Sequence, residues 1–373
     1  MSAADYAIRL YSPDGGTEVA NLTRFVRLAY ANRVDGDPGR IEIEIPADYI
    51  TSTNYDYLAC SHRVVVWRRA QDSSKWGIDF AGLIRGVEVY QRGQRTYLSL
   101  SGFNYNYLLS NAIVEAAKES ADAAIDDYAD DAIKGIVRKQ LGATATDTDR
   151  DLTSLGFTVE ADLSLGTNVK LDVARRNVLD ACQDIAEASK ATPATAVYFG
   201  YRATGNGTTA ELRTRVGAWG GDVSDRVTFS VELGNAKNAR YTVDRSDEIT
   251  SVYGAGAGVA AYRIEATGVE DARLSDSVLN RRESFYDVRS ETDTNKITAG
   301  MNALLKEGRP VRTLTFDTLD TAACRYWVHY GLGYVVTGEF AGIIRKFHVA
   351  GVLVTVQEGQ DAISLSLEEI NDD

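Results

Sequence analysis

The residues that could carry chemistry in this chain are few and lack reactive spacing. Three histidines, His62, His329 and His348, form no HExxH or HxH pattern, so they read as structural side chains, not metal ligands. Cys60, Cys182 and Cys324 are far apart, odd in number and without a CxxC pair, as expected of small buried hydrophobes. No GxSxG elbow is present. Asp147, Asp149 and Asp151 resemble the start of a calcium loop, but Leu152 and Thr158 stand where such a loop needs Gly and Glu. A solvated acidic loop is the better reading there. Asp126, Asp127, Asp130 and Asp131 read as an exposed helix face. Gly254, Gly256 and Gly258 follow a strand, yet the spacing is not GxGxxG and Val259 to Ile264 is strand-like, which favours close-packed backbone over a phosphate cradle. Among 53 acidic residues no pair stands out for glycoside hydrolysis. No residue is therefore nominated as catalytic, cofactor-binding or metal-binding, and no cofactor is expected.

The elements that would position any site are mostly strands. Ile41, Ile43 and Ile45 alternate with Glu42 and Glu44, a strand with one buried face. Val227 to Leu233 and Ile363 to Leu367 alternate in the same way, and further strands are expected at 6–11, 64–68, 83–90, 96–101, 240–244, 312–316 and 333–337. The middle reads as helical in part. Ile133, Ile136, Val137 and Leu141 lie at helical spacing before Gly142, and a second stripe runs from Asp172 to Ser189. A third helix is expected over about 293–307, closed by Gly308 and Pro310.

At 373 residues with 44% hydrophobic and 25% charged side chains, the chain can build real cores in two or three domains. The formal net charge is −13: zero over 1–110, −7 over 111–235 and −6 over 236–373. Such a balance argues against tight nucleic-acid binding, which needs Lys and Arg on phosphates, but permits nucleic acid to pass without sticking. Met1 to Leu10 lacks the apolar run of a signal peptide, and no stretch has the length of a membrane helix. Folding in a cytoplasm without membrane insertion is expected.

An internal echo carries the most information. FAGLIR (Phe80 to Arg85), QRGQ (Gln91 to Gln94) and YLSLS (Tyr97 to Ser101) reappear near the other end as FAGIIR (Phe340 to Arg345), QEGQ (Gln357 to Gln360) and ISLSL (Ile363 to Leu367). Each copy reads as a strand, a glycine turn and a return strand, as a duplicated β-domain would give. The spacing differs between copies, and Ala350-Gly351 offers a closer partner for Ala81-Gly82 than FAGIIR does.

Taken together, these segments resemble the hub proteins at the distal end of tailed-phage tails and their relatives in bacterial contractile injection machines. The resemblance covers nearly the whole chain. Its carriers are Ile8 to Phe25 with Ile41 to Pro46, Phe80 to Leu109, Val227 to Gly258 with Asn280 to Val288, and Leu332 to Gly338 through Ile363 to Ile370. It implies a mainly β protein with an α/β insert: a tail-tube-like β-barrel over 1–110, a mixed middle over 111–235 and a second barrel over 236–373. It also implies a homotrimer whose six barrels match a six-fold tube. The partners would be the tail tube or distal tail protein, a fibre, spike or tip protein and a tape measure protein, with double-stranded DNA passing through the lumen. The location would be the distal end of a virion tail. Because the last expected barrel strand runs to the end of the chain, cell-wall degradation is expected on another chain. Two rivals remain: a tail-associated cell-wall hydrolase and a host-glycan-binding adsorption module.

Overall fold

The computed structural model describes residues 4–47, 61–70, 73–115, 124–190, 194–259, 262–275, 277–289, 291–321 and 323–370. Cys60, residues 116–123 of the Ala-rich stretch, and Ala260 and Ala261 lie outside them. The chain is mainly β and forms two compact units, Met1–Arg240 with Leu314–Asp373, and Tyr241–Thr313. These units cut the chain differently from the expected segments 1–110, 111–235 and 236–373. The two chain ends share one sheet, and the separate unit is an insertion within the last segment.

The first seven strands are β1 (Asp5–Tyr11), β2 (Glu18–Leu22), β3 (Arg27–Arg33), β4 (Arg40–Pro46), β5 (Arg63–Arg69), β6 (Gly77–Arg92) and β7 (Arg95–Asn104). Alternation sets their faces: Ile41, Ile43 and Ile45 are buried, and Glu42 points to solvent.

The middle is mixed. It contains β8 (Ala124–Tyr128), α1 (Ala129–Leu141), β9 (Phe157–Val159), β10 (Asn168–Asp172), α2 (Val178–Ser189), β11 (Val197–Thr204) and β12 (Thr209–Val216). The apolar stripes meet in one core of Ile133, Val137, Val178, Ala181 and Ile185. Asn177 caps α2 by accepting from the Leu179 N–H at 2.9 Å. The Gly142 N–H closes α1 on the Arg138 carbonyl.

Beyond it lie β13 (Thr228–Ser230) and β14 (Ala236–Asp244). The strand expected over 227–233 stops at Ser230, leaving Val231 and Leu233 exposed. The Asn235 side chain turns the chain there: its Oδ1 accepts from the Ser230 N–H at 2.9 Å and its Nδ2 donates to the Thr228 carbonyl at 2.7 Å. The second unit holds β15 (Ser251–Ala255), β16 (Glu265–Val269), α3 (Asp271–Leu274), β17 (Glu283–Asp287) and α4 (Thr294–Glu307). Strand β15 is antiparallel to β16 and parallel to β17, and Ile297, Met301 and Leu305 of α4 cover Val252. Asp293 caps α4, and Gly308 ends it as expected.

The chain closes with β18 (Val311–Thr318), β19 (Val335–Phe340), β20 (Ile343–Gln357) and β21 (Gln360–Glu369). The main sheet runs β14-β18-β21-β20-β3-β4-β7-β6-β5-β1-β2, with β19 also on β20 and β13 on β19. The expectation of two tail-tube-like barrels is met in part: the chain is mainly β, as expected. Among the described residues no sheet closes, because β3 leaves its own half and pairs with β20 of the other.

Candidate functional site: a repeated hairpin and a buried clamp

The two longest hairpins of the sheet share one ladder. In β6–β7 three pairs, Gly82↔Asn104 to Ile84↔Gly102, precede a one-residue bulge at Arg85, and seven follow, Gly86↔Ser101 to Arg92↔Arg95. In β20–β21 three pairs, Phe347↔Glu369 to Val349↔Leu367, precede a bulge at Ala350, and seven follow, Gly351↔Ser366 to Gln357↔Gln360. Every rung matches at an offset of 265 positions, from Gly82 and Phe347 through Arg92 and Gln357. The approach matches too. The Ser61 N–H bonds the Ile84 carbonyl and the Ile84 N–H the His62 carbonyl, as Gly333 and Tyr334 do with Val349, all four at 2.8 Å. Ser61 and Gly333 both have left-handed backbone, at φ 79° and 76°. Bulges bend and twist a strand, so conserving their position conserves curvature.

This ladder revises the echo. Leu98-Ser99-Leu100-Ser101 and Ile363-Ser364-Leu365-Ser366 are equivalent, but FAGLIR and FAGIIR are not. Phe80 to Arg85 lies inside β6, whereas Phe340 ends β19 and Ala341-Gly342 form the turn into β20, with φ 54° and 80°. The QxGQ turns are displaced by one position. Gly93 is the first loop residue of its hairpin and Gly359 the second of its own, after Glu358 at φ 53°. Outside the hairpins the halves diverge: β1 is antiparallel to β5, while β13 is parallel to β19.

Buried polar groups tie the chain ends together. Arg68, 1% exposed, donates to the Tyr6 hydroxyl at 3.0 Å, to Asp361 at 3.1 Å and to the Tyr326 carbonyl at 3.2 Å. Its guanidinium also lies over the Tyr326 ring. Next to it, Asp79 accepts from the Tyr30 hydroxyl at 2.5 Å and the Tyr326 hydroxyl at 2.7 Å. Burial raises the Asp79 carboxyl above its usual range, against the pull of those two bonds and of Arg68. Asp79 also lines a cavity of about 470 Å³ together with Arg202, Trp219, Tyr326 and Tyr330. Among the described residues it is the one carboxylate in that lining.

His348 is buried against Tyr198, ring centroids 4.5 Å apart, and burial brings its imidazole down to about 4. His329 Nδ1 accepts from the Arg325 N–H, and His62 is buried. Cys182 and Cys324 are buried; burial pushes the Cys182 thiol up, and the Cys324 thiol up to about 12. Asp147 and Asp151 accept from the N–H groups of Asp149 and Thr153, and so cap local turns. Among the described residues no group of three or more His, Cys, Asp or Glu side chains could hold a metal. Gly254 and Gly256 are close-packed backbone under α4: a Cβ on Gly254 would meet Met301 at 2.4 Å, and one on Gly256 would meet Ile297 at 2.5 Å. No helix among the described residues is long and apolar enough to cross a membrane.

The acidic stretch needs correction. Asp126 and Asp127 lie on β8, and Asp130 is fully buried, 2.7 Å from the equally buried Lys134 and bonded to Thr214. Asp130 and Lys134 are i and i+4 on α1, the one sequence signal that could have flagged them.

The chain matches the family described as Siphovirus ReqiPepy6 Gp37-like protein over residues 8–367. Its fold is similar to that of the tail protein from Neisseria meningitidis MC58, at 14% identity and TM-score 0.59, covering 98% of this chain and 96% of that one. It is also similar to the prophage MuSo2 43 kDa tail protein from Shewanella oneidensis, at 9% identity, TM-score 0.62 and 98% coverage of both. A chain of a PdpA–VgrG complex aligns at 8% identity and TM-score 0.59, over 100% of this chain and 66% of that one. No curated protein sequence matches. A family match spanning nearly every strand, on a fold held in common with phage tail proteins, makes this chain a member of the Siphovirus ReqiPepy6 Gp37-like family.

Proposed function

We propose that this chain is the structural hub of a phage tail tip or baseplate. Three copies form a ring with pseudo-six-fold symmetry that joins the tail tube to a distal fibre or spike and surrounds the DNA exit channel at the distal end of the virion tail. The observation that carries this reading is the repeated bulged hairpin. One chain presents the same ten-rung ladder twice, which a three-fold object needs in order to offer a six-fold face. The two halves then act as tube-like domains flanking the mixed middle, each curved by its bulge and completed by neighbouring copies. The net charge of −13 suits a conduit that DNA must leave freely. The role is mechanical, with contacts to a tube or distal tail protein above, a fibre, spike or tip protein below and a tape measure protein within.

The test is the mass of the native particle. Sedimentation or native mass spectrometry should find three times the 40.6 kDa chain, and class averages should show six similar lobes around a lumen. A single-chain mass, both alone and with neighbouring tail proteins, would end the reading. Release of soluble fragments from peptidoglycan by the pure protein would replace it with the hydrolase.

A further inference from the structure

The two hairpins differ at one edge. Gly351 to Gln357 of β20 pair antiparallel with β3 along seven positions, Gly351↔Arg33 to Gln357↔Arg27. The matching stretch of β6, Gly86 to Arg92, has β7 on one side and no strand on the other among the described residues. A two-residue loop makes Arg92↔Arg95 a hydrogen-bonded rung, so Gly86, Glu88 and Tyr90 also face β7, and the N–H groups of Val87, Val89 and Gln91 point outward. On β20 the counterparts Val352, Val354 and Val356 are the residues turned towards β3. Coverage follows: Val354 is 0% exposed and Val89 is 52% exposed. A strand with an open ladder and exposed Val89 is the kind of edge that proteins otherwise blunt with proline or a cover.

The sheet order indicates what covers it. Beyond β7 lie β4 and then β3; beyond β21 lie β18 and then β14. Strand β3 leaves its own half to pair with β20 of the other. Strand β14 holds the corresponding outer position, ends the sheet, and carries no further strand along Ala236 to Arg240 among the described residues. We infer that Ala236–Arg240 of one copy pairs with Gly86–Arg92 of the next, repeating between chains the β3–β20 junction made within each chain. This inference rests on the ring reading above and names the surface that closes the ring. The contact is head-to-tail, so it closes a ring in which intrachain and interchain junctions alternate.

The experiment co-expresses two versions of the full chain, both with Cys60→Ser. One carries Val89→Cys, and the other carries Lys237→Cys, Asn238→Cys, Ala239→Cys or Arg240→Cys in turn. Mild oxidation should yield a two-chain species only in the co-expressed mixtures, strongest at one position and weak at its immediate neighbours. Separately, Val89→Pro removes an outward N–H that pairs with no strand among the described residues, and should shift the three-chain mass to one chain while leaving the far-UV circular dichroism spectrum of the folded chain unchanged. A three-chain particle with no cross-link at any of the four positions overturns this inference and leaves the ring reading standing. So does a three-chain Val89→Pro particle. A single-chain mass for the unaltered protein, alone and with its tail neighbours, overturns both.

Discussion

Val89 and Val354 stand on the same rung of two hairpins that share one ladder, yet one is half in solvent and the other has none. The bulges differ likewise. Arg85 is exposed, whereas Ala350 is buried beside Val34 and Trp219. Leu83 becomes His348, and Thr96 becomes Asp361, the partner of buried Arg68. The difference teaches that backbone curvature was kept while the surroundings were specialised. The second hairpin is built into the molecule, and the first presents its edge outward.

That contrast is open to direct measurement. The largest effect should come from Arg68→Ala, which strands Asp361 and uncovers Tyr326. A loss of about 3–5 kcal/mol is expected from urea unfolding, since truncating one partner of a buried ion pair leaves the other uncompensated. A variant within 1 kcal/mol of the parent would show that the clamp is not what ties the second hairpin to the chain start.

Next is pH. The His348 imidazole titrates at about 4 in the fold and near 6.5 when free, so the unfolded chain binds its proton first. Stability associated with neutral His348 is fully present above pH 6.5 and declines as pH falls towards 4, by roughly 3 kcal/mol. The His348→Gln variant should flatten that part of the pH–stability profile. Changing Leu83 at the matching rung should not, as Leu83 does not titrate.

A smaller difference is expected from alanine at the paired valines. Val354→Ala should cost roughly 2 kcal/mol, for lost burial and a cavity, and Val89→Ala under about 0.5 kcal/mol in the dissociated chain. Equal costs would mean that the first hairpin is covered within the single chain.

The turns should give the smallest signals. Gly93→Ala forces a Cβ into left-handed backbone at φ 64° and should cost about 1 kcal/mol, though nothing lies within 4 Å to clash. Glu358→Asn places a better residue at φ 53° before Gly359 and should add about a few tenths of a kcal/mol of stability, read as a slight rise in the thermal midpoint.

Much of the local structure was legible because short-range periodicity suffices for it. Ile41-Ile43-Ile45 marked β4, the stripe from Ile133 to Leu141 marked the inner face of α1, and Gly142 and Gly308 marked helix ends. Val227 to Leu233 misled, since alternation cannot reveal that Asn235 bonds back to Thr228 and Ser230. FAGIIR misled for a similar reason. Nearly identical letters sit mid-strand in one copy and at a turn in the other, and only pairing tells them apart. The Asp79–Tyr30–Tyr326 group and Arg68–Asp361 were invisible because their members lie 49 to 293 positions apart.

What the sequence determined by itself was a mainly β chain with paired Leu/Ile–Ser return strands and a helical middle, because alternation and capping are local rules. Tertiary structure alone decided that the repeat is a bulged ladder with one 265-position offset, and that β3 crosses to β20 instead of closing its own half. A strand edge carries no label for its partner. That choice is made by which backbone N–H and C=O groups remain unpaired once the rest of the sheet has formed.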